Sequence, residues 1–270
     1  MAAELLSDRP ADGVLRLRIS NPDKRGALDH GILDALADAV TAASSADSGV
    51  RAILLTGVDR QFSSGYDLSD ADAADVSDTQ LAERAEGLVA HPFTAAIDAL
   101  ESTDLPTVAA LPGPTMGGGL ELAIVCDLRV AADDVRMAMP PARLGLVYAH
   151  TGLRRFVDVI GAPRTRELFL LGRPIDAATA HQWGLLNRVV PAEEIGTAGL
   201  DIAIGLAAGA PLSVRGNKRS LRILLDAAGE LRREDEETLL ALRRASFESD
   251  DLVEGLRAFA ERRDPVWRGR

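Results

Sequence analysis

Three consecutive glycines stand at the start of an apolar segment, in the stretch PTMGGGLELAIVCD from Pro114 to Asp127. Glycine weakens a helix by about 1 kcal/mol per residue relative to alanine, so three together do not serve helix formation. Without side chains they leave the first N–H groups of a helix uncovered, at the positive end of the helix dipole. Such a position suits an anion or a developing oxyanion. Close packing of the helix on a sheet is the alternative explanation.

A second loop has the same character. The stretch FSSGYDL, Phe62 to Leu68, follows an apolar run and presents backbone around a glycine. One N–H group from each loop would make a two-donor oxyanion hole, and losing one such donor typically costs roughly 3–4 kcal/mol of transition-state stabilisation. Neither the Lys-Ser/Thr ending of a P-loop nor the dinucleotide-binding glycine spacing occurs at the three glycines. The pair of loops therefore favours catalysis over packing.

Glu121 is a candidate acid or base, because it lies inside the apolar segment that follows the glycines. Burial disfavours the ionised form of a carboxyl group and raises its pKa toward the neutral range, where a group can both accept and donate a proton. The alternative is a carboxylate held by a buried hydrogen-bond partner. We favour the functional interpretation.

Strands and helices alternate along the first 150 residues. Val14–Ser20 alternates apolar and charged residues, which is typical of a half-buried strand. Apolar residues at four-residue steps after Leu28 predict an amphipathic helix, and Val50–Gly57 is apolar enough for a strand buried on both faces. Further short strands are predicted in LPTVAALPGP, DLRVAA and RMAMP. This alternation predicts an α/β layered fold.

Beyond about residue 150 the pattern is mainly helical, with one short strand predicted at NRVV. The apolar surface of the last helices must be covered by their own core or by a neighbouring subunit. We therefore divide the chain into an α/β core, 1–195, that carries the site, and a helical C-terminal region, 196–270. The acidic segment 70–78 is predicted to be a solvated loop or short helix.

Composition excludes several classes of function. The net charge is -11, from 30 basic and 41 acidic residues, and no dense basic block occurs, so we expect no nucleic-acid partner. One cysteine, Cys126, gives neither an internal disulfide nor a zinc-binding spacing, and we expect no metal. No leader pattern and no apolar run of about 18 residues is found, so we expect a cytoplasmic protein without a membrane partner.

Several motifs together resemble the crotonase, or enoyl-CoA hydratase/isomerase, family. They are VRAILLTGVDRQFSSGYDLSD, LPTVAALPGPTMGGGLELAIVCDLRVAA, RLGLVYAHTGLRRF, LFLLGRPIDAATAHQWGLLNRVV and LVEGLRAFAERRDPVW, and they cover nearly the whole chain. The resemblance implies a spiral of repeated β-β-α units with a C-terminal helical region for oligomerisation. It also implies an acyl-CoA thioester as substrate, with coenzyme A part of that substrate and no separate cofactor. Homotrimers, commonly paired into hexamers, are implied as well.

The resemblance assigns roles to individual positions. The thioester oxygen would be held by the N–H groups of Tyr66 and Gly118, which would stabilise an enolate. Glu121 matches the first catalytic glutamate of the hydratases. Their second glutamate precedes the Leu-Gly of the RLGL motif, and here Pro141 occupies that position. Proline exchanges no proton, and the nearby Arg143 is no base at neutral pH, so two-glutamate hydration does not follow from the resemblance.

The segment RLGLVYAHTG resembles the methylmalonyl-CoA decarboxylase branch, in which a tyrosine at the position of Tyr148 helps to orient the leaving carboxylate. Decarboxylation needs an enolate stabiliser and a proton donor but no general base. Packing of Tyr148 against the acyl chain is the alternative. Four functions remain open: a hydratase with Glu121 and a substitute group, a decarboxylase, a Δ3-Δ2 isomerase with Glu121 as base, and a non-catalytic acyl-CoA binding protein.

Coenzyme A contacts are also implied by the resemblance. The stretch DKRGALD lies where the family contacts the nucleotide, which makes Lys24 and Arg25 candidates for phosphate pairing. Arg263 lies where the family often reaches the coenzyme from a neighbouring subunit. Exposed basic residues without a function are the alternative. The remaining positions carried over as coenzyme contacts are Ala27, Ser64, Gly65, Asp67 and Leu68.

Overall fold

The computed structural model describes residues 3–67, 92–227 and 233–266. Its centre is a six-stranded sheet in which the first pair of strands is antiparallel and the other pairs are parallel. In spatial order the strands are β1 (Glu4–Ala11), β2 (Val14–Ser20), β3 (Ala52–Gly57), β4 (Thr107–Leu111), β6 (Leu128–Ala132) and β9 (Arg188–Val190). A smaller sheet contains β5 (Thr115–Met116), β7 (Arg136–Ala138) and β8 (Ile175–Asp176).

Helices cover the sheets and form the C-terminal region. The first ones are α1 (His30–Ala43), α2 (described from 92 to 102), α3 (Gly118–Ile124), α4 (His150–Leu171) and α5 (Ala177–Gln182). The last ones are α6 (Ile195–Ala208), α7 (Pro211–Ala227), α8 (Arg233–Phe247) and α9 (Asp250–Glu261). In the described ranges no single helix is long and apolar enough to cross a membrane. Taken together, α6 and α7 have the length and composition of a membrane-spanning segment, but the two helices meet at an angle of 105°.

The hydrophobic core lies around β3 and β4. Ile53 of β3 pairs with Leu15 on one side and with Thr107 on the other, so this strand is enclosed by parallel neighbours. Helix α6 approaches the sheet closely, because a Cβ on Gly199 would lie 2.6 Å from the Cβ of Ala110. Parallel strands end at the same edge of the sheet, and open α/β folds bind ligands at that edge. The loops that follow β3 and β4 are therefore expected to carry a binding site.

The predicted α/β class is confirmed, as are the strands predicted at β2, β3, β4, β6, β7 and β9. Strand β1 was not predicted, because Pro10 and its charged neighbours hide the pattern of a strand. It lies at the edge of the sheet and pairs only with β2, where proline and charge are tolerated. Strands β5 and β8 have two residues each, too few to show any periodicity.

The helical character predicted beyond residue 150 is confirmed. The predicted boundary between 1–195 and 196–270 falls at the start of α6, which packs on the central sheet through Gly199, and it stays a prediction. The acidic segment 70–78 lies outside the described residues. Apolar side chains of α7 are exposed, and the most exposed of them are Leu212, Leu221, Ile223, Leu224 and Leu225.

Replacing Asp29 by alanine should destabilise the protein by about 0.5–2 kcal/mol, because Asp29 caps α1. Its Oδ1 accepts a hydrogen bond of 2.8 Å from the Ile32 N–H, which otherwise has no partner in the first turn. The measurement is urea-induced unfolding of Asp29→Ala. The control Asp38→Ala, at an exposed position within α1, should leave the unfolding free energy unchanged or raise it slightly, and equal losses in both variants would contradict the capping role.

Candidate active site

The loops after β3 and β4 meet at the carboxyl edge of the central sheet. Ser63 and Thr115 form a parallel bridge, and the Met116 N–H donates a 2.9 Å hydrogen bond to the Ser63 carbonyl. Gly65 and Gly117 have φ angles of 97° and 51°, in the region that favours glycine. A Cβ on Gly65 would lie 3.1 Å from the Met116 carbonyl oxygen. Two of the predicted loop glycines are therefore required by backbone conformation and by close approach.

Where these loops meet, two backbone N–H groups have no backbone acceptor among the described residues. Leu28 bonds to the residues on both sides of Tyr66: its N–H donates to the Gly65 carbonyl at 2.8 Å, and its carbonyl accepts from the Asp67 N–H at 3.0 Å. Successive N–H groups of extended chain point to opposite sides, so the Tyr66 N–H faces away from Leu28. Gly118 begins α3, and the first N–H groups of a helix have no intrahelical acceptor. Both residues line one cavity.

Glu121 is buried and fully engaged. It is 3% exposed, its Oε1 accepts a 2.8 Å hydrogen bond from Arg155 Nη1, and its Oε2 accepts one from the Tyr148 hydroxyl. Burial raises the pKa of the Glu121 carboxyl group, while Tyr148 and Arg155 pull it down less strongly. The expected burial and upward pKa shift of Glu121 are present, together with the buried hydrogen-bond partners of the alternative explanation, and a catalytic role for Glu121 stays a prediction.

Arg155 links Glu121 to a second carboxylate. Its Nε and Nη2 atoms donate hydrogen bonds to the two oxygens of Glu101 at 2.5 and 2.7 Å, while Nη1 donates a hydrogen bond to Glu121. The two carboxylates raise the pKa of the guanidinium above its already high ordinary value. Arg155 is therefore a permanent cation that bridges α2, α3 and α4.

The start of α4 fits closely around the Tyr148–Glu121 pair. Tyr148 lies two residues before the first residue of this helix, and its ring lies 5.4 Å from the Phe169 ring, centroid to centroid. A Cβ on Gly152 would lie 2.6 Å from Tyr148 Cε1 and 2.8 Å from Glu121 Oε1. Only glycine at position 152 leaves room for the hydrogen bond. Burial raises the pKa of Tyr148 well above its ordinary value, so its hydroxyl stays protonated at neutral pH.

Sequence reasoning brought together Tyr66, Gly118, Glu121 and Tyr148, and all four line the same cavity. It missed Arg155, Gly152 and Glu101. Arg155 lies next to another arginine in the segment TGLRRF, so the sequence does not show which of the two faces inward. The spacing of seven residues from Tyr148 to Arg155, about two helical turns, was the available signal.

Pro141 lies in the same cavity wall as Glu121. It begins a short 3-10 turn, Pro141–Arg143, and is buried, whereas Arg143 is exposed. The cavity has a volume of about 900 Å³, enough for a large ligand. The only other carboxylates among its described lining residues are Asp98 and Asp264.

The positions predicted to contact coenzyme A lie beside the Tyr66 loop. Lys24 Nζ forms a 2.6 Å ion pair with Asp67 Oδ2, and the Ser64 hydroxyl donates to the Lys24 carbonyl at 3.0 Å. The carbonyl oxygen of Arg25 accepts a hydrogen bond from the Ser64 N–H. Ala27 is buried. The turn that carries Lys24 and Arg25 is thus fixed to the predicted oxyanion loop.

Two further predicted contacts differ in their surroundings. Arg263 lines the cavity and forms ion pairs with Glu254 at 2.6 Å and with Glu261 at 2.5 Å in the same chain. Leu68 lies outside the described residues.

Cys126 is buried as predicted, and burial raises the pKa of its thiol to about 12. A thiol with that pKa stays protonated at neutral pH and is not a reactive nucleophile. Within the described ranges no group of three or more potential ligands could hold a metal ion.

The fold and the cavity define an α/β protein with a large cavity at the meeting point of two glycine loops. A family model described as Enoyl-CoA hydratase/isomerase matches residues 9–270. The chain therefore belongs to the enoyl-CoA hydratase/isomerase family and is an enzyme-family member that acts on CoA thioesters. The resemblance stated from the motifs is confirmed, and so is the crotonase-like fold.

Curated relatives and solved structures agree with this family. The chain is 33% identical over 262 residues to the protein named Probable enoyl-CoA hydratase echA6 of Mycobacterium leprae (strain TN), covering 96% of this chain and 97% of the relative. It is 33% identical over 224 residues to the carnitinyl-CoA dehydratase of Citrobacter koseri, covering 81% of each. The structure of methylmalonyl-CoA decarboxylase in complex with 2-nitronate-propionyl-CoA matches with a TM-score of 0.86 and 25% identity, covering 99% of both chains.

Gly152→Ala should destabilise the protein by about 1–3 kcal/mol, because the added methyl group overpacks the site. The new Cβ would lie within 2.8 Å of both Tyr148 and Glu121 and must displace one of them. Urea-induced unfolding measures the loss. The matched control is Gly205→Ala on α6, where nothing lies within 4 Å of the added Cβ. That variant should be unchanged or more stable by up to about 1 kcal/mol, and a stable Gly152→Ala would show that the site has more room than the structure gives it.

Proposed function

We propose that this protein decarboxylates a CoA thioester whose acyl group carries a carboxylate on the carbon next to the thioester, a malonyl-type thioester. The observation that carries the proposal is the state of Glu121. Both of its oxygens are occupied, by Arg155 and by Tyr148, and Pro141 stands where the family's hydratases have their second glutamate. A site arranged in this way suits a reaction that needs no general base.

Hydration would require a water molecule held between two groups that accept and donate its protons. The occupied oxygens of Glu121 leave it poorly placed to orient such a water. Pro141 has no side-chain acceptor or donor. Pro141, at the position where the second glutamate is expected, therefore cannot take part in proton transfer.

Decarboxylation makes different demands. The bond between the α carbon and the carboxylate breaks, its electron pair passes into the thioester as an enolate, carbon dioxide leaves, and the α carbon then takes a proton from solvent. We propose that the N–H groups of Tyr66 and Gly118 stabilise the enolate oxygen, at roughly 3–4 kcal/mol per donor. The negative charge thus moves from the carboxylate to the thioester oxygen, where the two donors lie.

The wall of the cavity assists this transfer of charge. Pro141 is buried, and an apolar surface beside the substrate carboxylate disfavours its charge relative to neutral carbon dioxide. We propose that the Tyr148 hydroxyl, which has a single proton to donate, turns from Glu121 Oε2 to orient the substrate carboxylate, while Arg155 keeps its hydrogen bond to Glu121 Oε1. The high pKa of Tyr148 keeps this hydroxyl a donor at neutral pH.

Hydration or isomerisation by Glu121 is the second candidate. It is supported by the raised pKa of Glu121, which burial causes, and by the hydratase and dehydratase names of curated relatives. Either reaction requires Glu121 to release Tyr148 or Arg155, because its oxygens must reach a water molecule or a substrate carbon.

The test is mass spectrometry after separate incubation of the pure protein with methylmalonyl-CoA and with crotonyl-CoA. We expect loss of carbon dioxide from the first and no gain of water by the second. Tyr148→Phe should lower kcat/KM for decarboxylation by about 10- to 100-fold, the value of one hydrogen bond to a charged group. Glu121→Gln should reduce the activity without abolishing it, whereas the control Glu167→Gln, exposed on α4, should have no effect.

Other outcomes would overturn the proposal. If the wild-type protein hydrates crotonyl-CoA and the Glu121→Gln variant does not, the second candidate, catalysis by Glu121, would be established. Thermal stabilisation by both thioesters without any product would identify a non-catalytic acyl-CoA binding protein.

We propose that the coenzyme's phosphates bind beside Lys24 and Arg25. The ion pair between Lys24 and Asp67 is partly exposed, and such pairs contribute only about 0–1 kcal/mol. A phosphate can therefore compete with Asp67 for the lysine. The neighbouring Ser64 and Gly65 position this turn against the loop that holds the thioester.

We also propose that the chain assembles as a homotrimer or a hexamer through its C-terminal helices. Support comes from α7, where Leu221, Ile223, Leu224 and Leu225 are each more than half exposed. Clustered apolar side chains of this kind mark an interaction surface.

Sedimentation velocity tests the assembly. The wild-type protein should sediment with the mass of three or six chains. Leu224→Arg should shift it to smaller species, because a charge in an apolar contact is costly to desolvate. The control Asp47→Arg, on a polar 3-10 turn, should keep the wild-type mass. A monomeric wild-type protein would contradict the proposal.

A further inference from the structure

Two buried polar atoms inside the cavity have no protein partner. They are the Tyr66 hydroxyl and the Nε of Arg243, and each is buried without a hydrogen bond in the described part of the chain. Such unsatisfied groups typically reduce stability, so native structures contain few of them, and those near a cavity point to a ligand. The decarboxylation proposed above uses the backbone of Tyr66 but neither of these two side-chain groups.

Tyr66 lines the cavity, and its hydroxyl is buried. Its ring packs over the start of α3, since a Cβ on Gly118 would lie 3.1 Å from Tyr66 Cζ. The Phe93 ring meets it edge-on at 4.8 Å between centroids. Burial raises the pKa of Tyr66, and the guanidinium of Arg243 is among the charges that act on this hydroxyl. Tyr66 and Arg243 both line this cavity.

Arg243 differs from the cavity's ion-paired arginines. Arg155 and Arg263 line the same cavity, and both have carboxylate partners. Arg243, on α8, has no such partner among the described residues, and its guanidinium carbon lies 5.5 Å from the centre of the Phe247 ring. An aromatic face holds a guanidinium in place without neutralising it. The result is an oriented cation at the cavity that has no carboxylate partner within residues 3–67, 92–227 and 233–266.

The position of these groups relative to the thioester decides which part of the ligand they reach. This step rests on the proposed function, in which the Tyr66 N–H holds the thioester oxygen. The side chain of the same residue can then reach only groups close to that oxygen, which belong to the acyl part. The nucleotide would lie by Lys24 and Arg25, in the turn on the outer side of the loop.

We propose that the Tyr66 hydroxyl and Arg243 form a subsite for a second carboxylate, at the far end of the acyl group and separate from the α-carboxylate that Tyr148 orients. The protein would then select CoA thioesters of dicarboxylic acids over simple fatty acyl thioesters. Arginine and a hydroxyl donor are a chemically complete pair for this ligand, because a carboxylate accepts several hydrogen bonds and brings the missing negative charge. Aromatic walls from Phe93 and Phe247 strengthen the interaction by excluding water.

The test compares CoA thioesters of equal chain length by isothermal titration calorimetry. Wild-type protein should bind glutaryl-CoA at least about tenfold tighter than pentanoyl-CoA, as a charge-assisted hydrogen bond implies, and likewise succinyl-CoA tighter than butyryl-CoA. Arg243→Met should remove the preference. Tyr66→Phe, which keeps the backbone N–H, should weaken only the dicarboxylic thioesters. The control Arg244→Met, exposed on α8, should keep the wild-type preference.

The outcomes separate this inference from the proposed function. Equal affinity of wild-type protein for both members of each pair, or a preference that survives Arg243→Met, would overturn the carboxylate subsite and leave the decarboxylase proposal intact. Failure to bind any thioester would overturn the proposed function itself. If Arg243→Met does not fold, Arg243→Lys replaces it. This variant keeps the charge but loses the planar fork, so it should show a reduced preference.

Discussion

The close approach of two loops at the carboxyl edge of a parallel sheet is the constraint on which the site depends. The parallel pairing of β3 and β4 brings both loops to one place, and the bridge between Ser63 and Thr115 fixes their register. Side chains would prevent this contact: a Cβ on Gly119 would lie 2.5 Å from the Cβ of Ser63. Glycine here trades helix stability for access to bare backbone, which is why the helix-weakening run stands where a helix begins.

Burial of Glu121 imposes the second requirement. A buried carboxylate is costly unless it is paired and hydrogen-bonded, and the protein satisfies it with one cation and one neutral donor. Glu101 in turn balances the charge of Arg155 from the partly exposed side. The chain of Glu101, Arg155, Glu121 and Tyr148 is therefore a single electrostatic unit, and loss of any one member leaves a neighbouring member without one of its hydrogen-bond partners.

The sequence predicted the parts of the site that rest on local chemistry. Glycine runs, a lone carboxylate in an apolar segment and the alternation of strands and helices all follow from propensity and burial. They located the glycine run, Glu121 and the α/β class, whereas the choice of Gly118 within that run came from the family resemblance. Arg155 and Gly152 could not be predicted in the same way. Their roles come from how α4 packs against α3, which is a tertiary contact with no pattern in the sequence. Strand β1 was missed for a similar reason, because its pairing at the sheet edge overrides its proline and charges.

Two features of the site are consistent with each other. Pro141 stands where a glutamate is expected, and Glu121 forms an ion pair with Arg155. Two carboxylates that share one water raise each other's pKa through like-charge repulsion, which keeps one of them able to take up a proton. With proline in the second position that repulsion is absent, and the remaining carboxylate is free to pair with a permanent cation. Such a pair stabilises the ionised form of Glu121 against its burial. The same two features leave a charge-balanced wall beside the two glycine loops, which is the arrangement that the proposed decarboxylation requires.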